Sequence, residues 1–134
     1  MSQNAKSRLI ITPVPNPEKM SVEHIFAPIA ATPWSLLFDS AGSSQTARFS
    51  IALSAPSHVV MADNGASWTL DMRTGEKQHY KGANPLMLVD EHINTLRKNV
   101  YISGELAARY QFLPFLVGCA GSCGYDLGRY FEKL

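Results

Sequence analysis

An α+β fold is predicted for this chain, mainly antiparallel β-sheet of a β-sandwich-like kind with packed helices. Three observations predict it. Between Trp34 and Tyr80, short runs rich in β-branched and aromatic residues alternate with Gly, Ser, Asn and Pro clusters, as in a meander. Asn84-Pro85 then opens a segment whose apolar residues recur at helical spacing. The 134 residues suit one domain, which at that size buries about two thirds of its unfolded surface.

In chain order, Arg8 to Val14 is rich in Ile, Thr and Val and reads as a first strand, ended by Pro13, Pro15 and Pro17. Ser21 is placed to cap a helix with Glu23 in its first turn and Ile25, Phe26 and Ile29 on its apolar face. Pro28 should kink or shorten that helix, and Pro33 should end it. Strands are expected at Trp34 to Phe38, Ala47 to Ser54, His58 to Ala62, Ser67 to Met72 and Lys77 to Tyr80. Asp63-Asn64-Gly65 and Arg73-Thr74-Gly75 supply turns, Asn-Gly being the stronger signal because both residues tolerate positive φ.

Asn84 caps the next helix, with Pro85 at a position where its missing N–H has no helical partner anyway. Leu86, Val89, Ile93 and Leu96 form the stripe that should pack on the sheet, while Asp90, Glu91, Asn94 and Arg97 face water. Phe115 to Gly124 reads as a glycine-interrupted strand. Asp126 to Lys133 reads as a short helix in which Asp126 and Arg129, then Arg129 and Glu132, can pair.

Composition excludes several classes of function. Twelve basic and eleven acidic residues leave a formal charge of +1, scattered rather than clustered, which gives no footprint for nucleic acid. No apolar run approaches the roughly eighteen residues of a membrane span, and residues 1–15 lack a signal-like stretch, so a cytoplasmic location and no membrane partner are expected. Cys119 and Cys123 read as small buried thiols in a reducing compartment. Their spacing is not the Cys-x-x-Cys of redox pairs, and His24, His58, His79 and His92 are dispersed, so no metal ligands are assigned. A redox or metal protein built on the two cysteines stays a third, least supported alternative.

Gly118, Gly121 and Gly124 recur every three residues, but the spacing matches neither dinucleotide-binding nor P-loop patterns, and no lysine lies within this segment; close backbone packing is the simpler reading. Tyr125, Asp126, Arg129 and Glu132 read as a solvated helix with ordinary ion pairs, or as a brace against a further domain. Nothing fixes a nucleophile or substrate pocket around them, so no catalytic residues are assigned.

Leu113-Pro114-Phe115 with Gly118, Gly121 and Gly124-Tyr125-Asp126-Leu127-Gly128-Arg129-Tyr130-Phe131-Glu132 resembles the block Pro-Phe-x-Gly-Gly-x-x-Gly-x-x-x-Tyr-Asp-x-x-Arg-x-x-Glu. That block closes the amino-terminal region of the chorismate-utilising synthases, the anthranilate synthase component I family. Pro33-Trp34-Ser35-Leu36-Leu37-Phe38-Asp39-Ser40 and Ala47-Arg48-Phe49-Ser50-Ile51 with Ala55-Pro56 resemble its Pro-Trp-x-x-Leu-Leu-x-Ser and Arg-Phe-x-Ile-x-x-x-x-Pro blocks, in the same order. The resemblance covers roughly residues 20 to 134. The Pro-Trp pair and the Gly-Arg spacing are closer to the aminodeoxychorismate branch, while Arg129-Tyr130-Phe131-Glu132 also fits the anthranilate branch. Val117 stands where the family has the first of two adjacent glycines, and Cys123 where an aromatic is common.

The resemblance implies that residues 1–134 are the amino-terminal part of a larger chorismate-utilising enzyme fold, without its carboxy-terminal catalytic domain. It implies a parent enzyme that uses Mg²⁺ and ammonia from a glutamine amidotransferase subunit, with no cofactor held by this chain. It further implies that Leu37, Ser40, Arg48, Phe49 and Ser50 line a pocket between sheets that holds tryptophan. Thr46 and Ser50 stand where the family often has Tyr and Asp, so the pocket loses an aromatic wall and a carboxylate. The same residues also suit a turn serine and a strand-edge arginine. A stand-alone module that senses an aromatic amino acid is the alternative from another class. An end at Leu134 would leave apolar surface at Phe115 to Leu134, which a homodimer could cover.

Overall fold

Asn64 and Gly65 adopt φ of 47° and 77°, the two positive values that a type I′ turn requires. They organise the largest sheet in a computed structural model of the chain, which describes residues 6–16, 18–40 and 49–131. The chain divides into two compact units, Met1–Ile11 with His58–Leu134, and Thr12–Ser57. Helices and small, largely antiparallel sheets are mixed, so the class is broadly α+β.

In the first unit, β4 (His58–Asp63) and β5 (Ala66–Asp71) pair antiparallel with Asp63 opposite Ala66, and β5 pairs with β6 (Lys77–Lys81) to complete the meander. The second turn is held by Asp71, whose Oδ1 accepts from the N–H groups of Arg73 (2.8 Å) and Thr74 (3.0 Å). The Gly75 N–H donates to the Asp71 carbonyl at 2.8 Å, with Gly75 at φ 75°. Both turns and all three strands lie where the sequence predicts them, to within a residue at most ends.

Helix α2 (Pro85–Asn99) begins as expected, Asn84 Oδ1 accepting from Leu86 N–H at 2.9 Å. Its inward stripe differs from the expected one. Pro85 and Leu88 are buried and Val89, His92, Ile93 and Leu96 half-buried, while Leu86 is 43% exposed. These positions follow the i, i+3, i+4, i+7 rule in a phase that starts one residue before Leu86. Asp90, Glu91, Asn94 and Arg97 are exposed, as the pattern requires. The helix packs on β4 and β5. Under it, β5 presents Ser67 and Thr69, both buried, and Ser67 Oγ donates to the Ala83 carbonyl at 2.8 Å.

β1 (Ser7–Arg8) pairs in parallel with β7 (Val100–Tyr101), and the Leu9 N–H reaches the Tyr101 carbonyl at 3.2 Å. The expected strand from Arg8 to Val14 is therefore confined to its start. Beyond Leu9 no partner strand is present among the described residues, Pro13 and Pro15 remove donors, and Ile10 and Val14 are 77% and 84% exposed. After β7, Ser103 Oγ accepts from the Leu106 N–H at 3.2 Å and caps α3 (Gly104–Arg109); periodicity anticipates neither element.

Phe115 to Gly124 is irregular rather than a strand. At Gly118 an added Cβ would lie 3.0 Å from Phe115 Cε2, so the close packing expected there is present, whereas at Gly121 and Gly124 the space is open. Cys119 and Cys123 are free and exposed, not buried, because the segment that carries them does not enter a core. Tyr125–Tyr130 is a 3-10 turn in which Arg129 Nε lies 3.0 Å from Asp126 Oδ1, with both side chains exposed. Glu132 and Lys133 lie outside the described residues.

In the second unit, α1 (Val22–Phe26) passes into a 3-10 turn at Ala27–Ile29, where Pro28 has no N–H to continue the helix. Ser21 holds the N-cap position, but its side chain bonds His24 Nδ1 (3.1 Å) instead of a backbone amide. β2 (Leu36–Phe38) and β3 (Ile51–Leu53) pair antiparallel, Leu37 opposite Ala52 and Phe38 opposite Ile51. Ser35 Oγ and Ser54 Oγ join one end at 2.9 Å. β2 starts later than expected because Trp34 sits at φ 65°, off the extended region.

Gly65 has open space around a Cβ, so only its positive φ opposes a side chain. Gly65→Val is expected to destabilise the fold by about 1–2 kcal/mol in urea unfolding, while Gly121→Ala changes it by less than about 0.5 kcal/mol. Equal effects would remove the role given to the turn.

Candidate functional site

Antiparallel pairing of Phe38 with Ile51 carries the residues that follow β2 and precede β3 toward each other. Ser40 Oγ donates to the Phe49 carbonyl at 2.7 Å, and Ser50 Oγ donates to Asp39 Oδ1 at 2.6 Å. These two cross-bonds frame an open hollow of about 390 Å³ lined by Leu37, Phe38, Asp39, Ser40, Phe49 and Ile51.

Of the five residues expected at a ligand pocket, Leu37, Ser40 and Phe49 therefore share one lining. Ser50 sits beside it, turned to Asp39, and Arg48 lies outside the described residues. Asp39 adds a carboxylate to the lining of the hollow. Asp39, Phe38 and Ile51 escape the motif reading, although continuing the β2–β3 register by one step places Asp39 opposite Ser50.

The chemistry of the hollow is an apolar floor with an acceptor rim. Ser40 commits its proton to Phe49, so its oxygen presents lone pairs, as the Asp39 carboxylate does. Such a rim suits a donor, above all an ammonium group, attached to an apolar body. Among the described residues, no three His, Cys, Asp or Glu side chains are grouped to hold a metal ion, here or elsewhere.

No family model matches the chain, and no solved structure matches it. Over 116 residues it is 34% identical to aminodeoxychorismate synthase component 1 of Klebsiella aerogenes, across 85% of this chain and 23% of that protein. The chain thus spans less than a quarter of the length of that relative, and the likeness is partial. No described helix is long and apolar enough to cross a membrane.

A group of titratable side chains belongs to the unit built on the meander. His58 and Asp71 are directly opposed across β4 and β5, with His58 Nε2 3.6 Å from Asp71 Oδ2. The His92 ring meets His58 edge-on, with centroids 5.1 Å apart. Because a carbonyl can only accept, the 3.0 Å contact of His92 Nδ1 with the Leu88 carbonyl puts a proton on Nδ1. The dispersed positions of the histidines hide this grouping, yet His58 and Asp71 are equidistant from the Asn64-Gly65 turn, which the hairpin signal makes legible.

Hydrogen bonds from the backbone N–H groups of Thr74 and then Arg73 hold the Asp71 carboxyl below its ordinary pKa, with the nearby His58 a smaller influence. A carboxyl whose pKa is lower folded than unfolded adds stability above its unfolded pKa and loses it as pH falls through the folded value. Unfolding free energy is thus expected to fall below about pH 4, and Asp71→Asn, which keeps an acceptor but not the charge, should flatten that part of the profile. A variant with the wild-type slope would assign the acid sensitivity elsewhere.

Proposed function

We propose that this chain corresponds to the non-catalytic amino-terminal region of an aminodeoxychorismate synthase component I. In full-length form, such an enzyme would aminate chorismate to 4-amino-4-deoxychorismate for para-aminobenzoate and folate synthesis. The observation that carries this reading is the 34% identity over 116 residues to a protein of that name. The name of that relative favours the aminodeoxychorismate branch over the anthranilate one. In this reading the β2–β3 pair belongs to the β-sandwich-like front of a larger fold, and the parent works with a glutamine amidotransferase subunit. Two free, exposed cysteines suit the reducing cytoplasm. Mg²⁺ would be a requirement of the parent, with its ligands proposed to lie outside this chain.

The hollow supports a role within that reading, or in a stand-alone regulatory module: holding tryptophan. Leu37, Phe49 and Ile51 suit the indole, and the Asp39 carboxylate suits the α-ammonium. Arg48, adjacent to Phe49 in sequence, is proposed for the α-carboxylate, and Ser50 keeps Asp39 in place.

Two outcomes test this. With chorismate and ammonium, the 134-residue chain is expected to show no synthase activity; measurable turnover would sink the non-catalytic reading. In calorimetry, tryptophan should bind saturably, while Ser40→Ala and Asp39→Asn each weaken it about tenfold or more. Absence of heat at millimolar tryptophan would remove the pocket and leave the family reading standing.

A further inference from the structure

We propose that a second cavity, beside the C-terminal end of α2, binds a small monocarboxylate with an aryl or branched apolar body, gripped by Arg97. The cavity is about 300 Å³ and is lined by Val100, Ile102 and residues 114–117, with Arg97 as its one charged lining residue. It shares no residue with the hollow between β2 and β3, and it does not depend on tryptophan binding there.

The local chain path builds it. α2 delivers Arg97 in its last turn, and β7 fixes Val100 by pairing it with Ser7. After α3 the Leu113 N–H donates to the Tyr110 carbonyl at 3.0 Å, and residues 114–117 that follow share the cavity lining with Val100 and Ile102. The Phe115 ring rests against the bare Gly118 backbone, where an added Cβ would lie 3.0 Å from it, which steadies this wall.

Chemistry then selects the occupant. The side chains of Val100, Ile102, Pro114, Phe115, Leu116 and Val117 offer no hydrogen-bonding group, so they favour an apolar body and specify nothing more. Arg97 carries a permanent charge, as arginine does, and makes no ion pair among the described residues, where the ion pairs are His58–Asp71 and Arg129–Asp126. Its planar fork matches a carboxylate with two parallel hydrogen bonds. Lys98, next in sequence, already places a cation near the negative end of the helix. The volume is at the low end for ligand sites, which limits the guest to about ten non-hydrogen atoms.

Benzoate is a suitable probe, and benzamide is its neutral counterpart. In amide NMR titrations of the whole chain at low ionic strength, benzoate is expected to shift Arg97, Val100, Ile102 and residues 115–117, and to bind about tenfold or more tighter than benzamide. Arg97→Gln, an exposed change that leaves the apolar walls intact, should reduce benzoate to the level of benzamide. Arg97→Lys should recover part of the difference, because charge returns without the fork. The proposal is overturned if benzamide binds as well as benzoate or if Arg97→Gln leaves affinity unchanged. It is equally overturned if sulfate produces the same shifts, or if millimolar benzoate produces none.

Discussion

A serine with no exposed surface fixes the larger unit. Ser67, in the central strand of the meander, donates to the carbonyl of Ala83, the residue before the α2 cap. Left unpaired, a buried hydroxyl would cost about 1–3 kcal/mol, so the start of α2 is held to one place on the sheet. Its small size, with that of Thr69, lets the helix come close, and the buried set under it is compact: Pro85 and Leu88 with these two polar residues. From that anchor the length of α2 determines the rest, since Arg97 reaches its cavity and Val100 reaches β1 only if the helix begins where Ser67 sets it.

What the sequence discloses and what it hides divide along the same line. Asn64-Gly65 and Asn84-Pro85 act within a few residues, through positive φ and a side-chain acceptor, and both are legible. The phase of α2 is not, because Leu86-Met87-Leu88-Val89 is apolar all round and periodicity alone cannot choose a face. A contact from β5 chooses it. The parallel pairing of β1 with β7 joins segments far apart in sequence, and each strand is too short to carry a pattern. Phe115 to Gly124 has strand-like composition but no partner strand among the described residues, and composition alone does not make a ladder.

The candidate hollow shows the same division. Motif resemblance singles out Leu37, Ser40 and Phe49, which lie on both sides of the β2–β3 connection and share the lining of the hollow. Asp39 is missed because resemblance compares position with position and finds a serine at 50 where the family often has a carboxylate. Antiparallel geometry puts the two opposite each other, so the carboxylate reaches the hollow from the neighbouring strand end. A register, extended one residue past the last ladder pair, is the physical statement that motif matching lacks.

Apolar walls set how strongly a guest is held but discriminate weakly, because each Å² of apolar contact is worth about 25 cal/mol whatever molecule supplies it. Discrimination comes from a few polar groups that must be matched or left unpaired. The two cavities carry opposite demands of this kind, acceptors from Asp39 and Ser40 in one and a guanidinium from Arg97 in the other. An amino acid presents both an ammonium and a carboxylate, so it can answer the first demand only where a cation also meets its carboxylate. A simple carboxylate answers the second with nothing left over. The sign of the rim charge, more than the size of either hollow, therefore separates the two classes of guest.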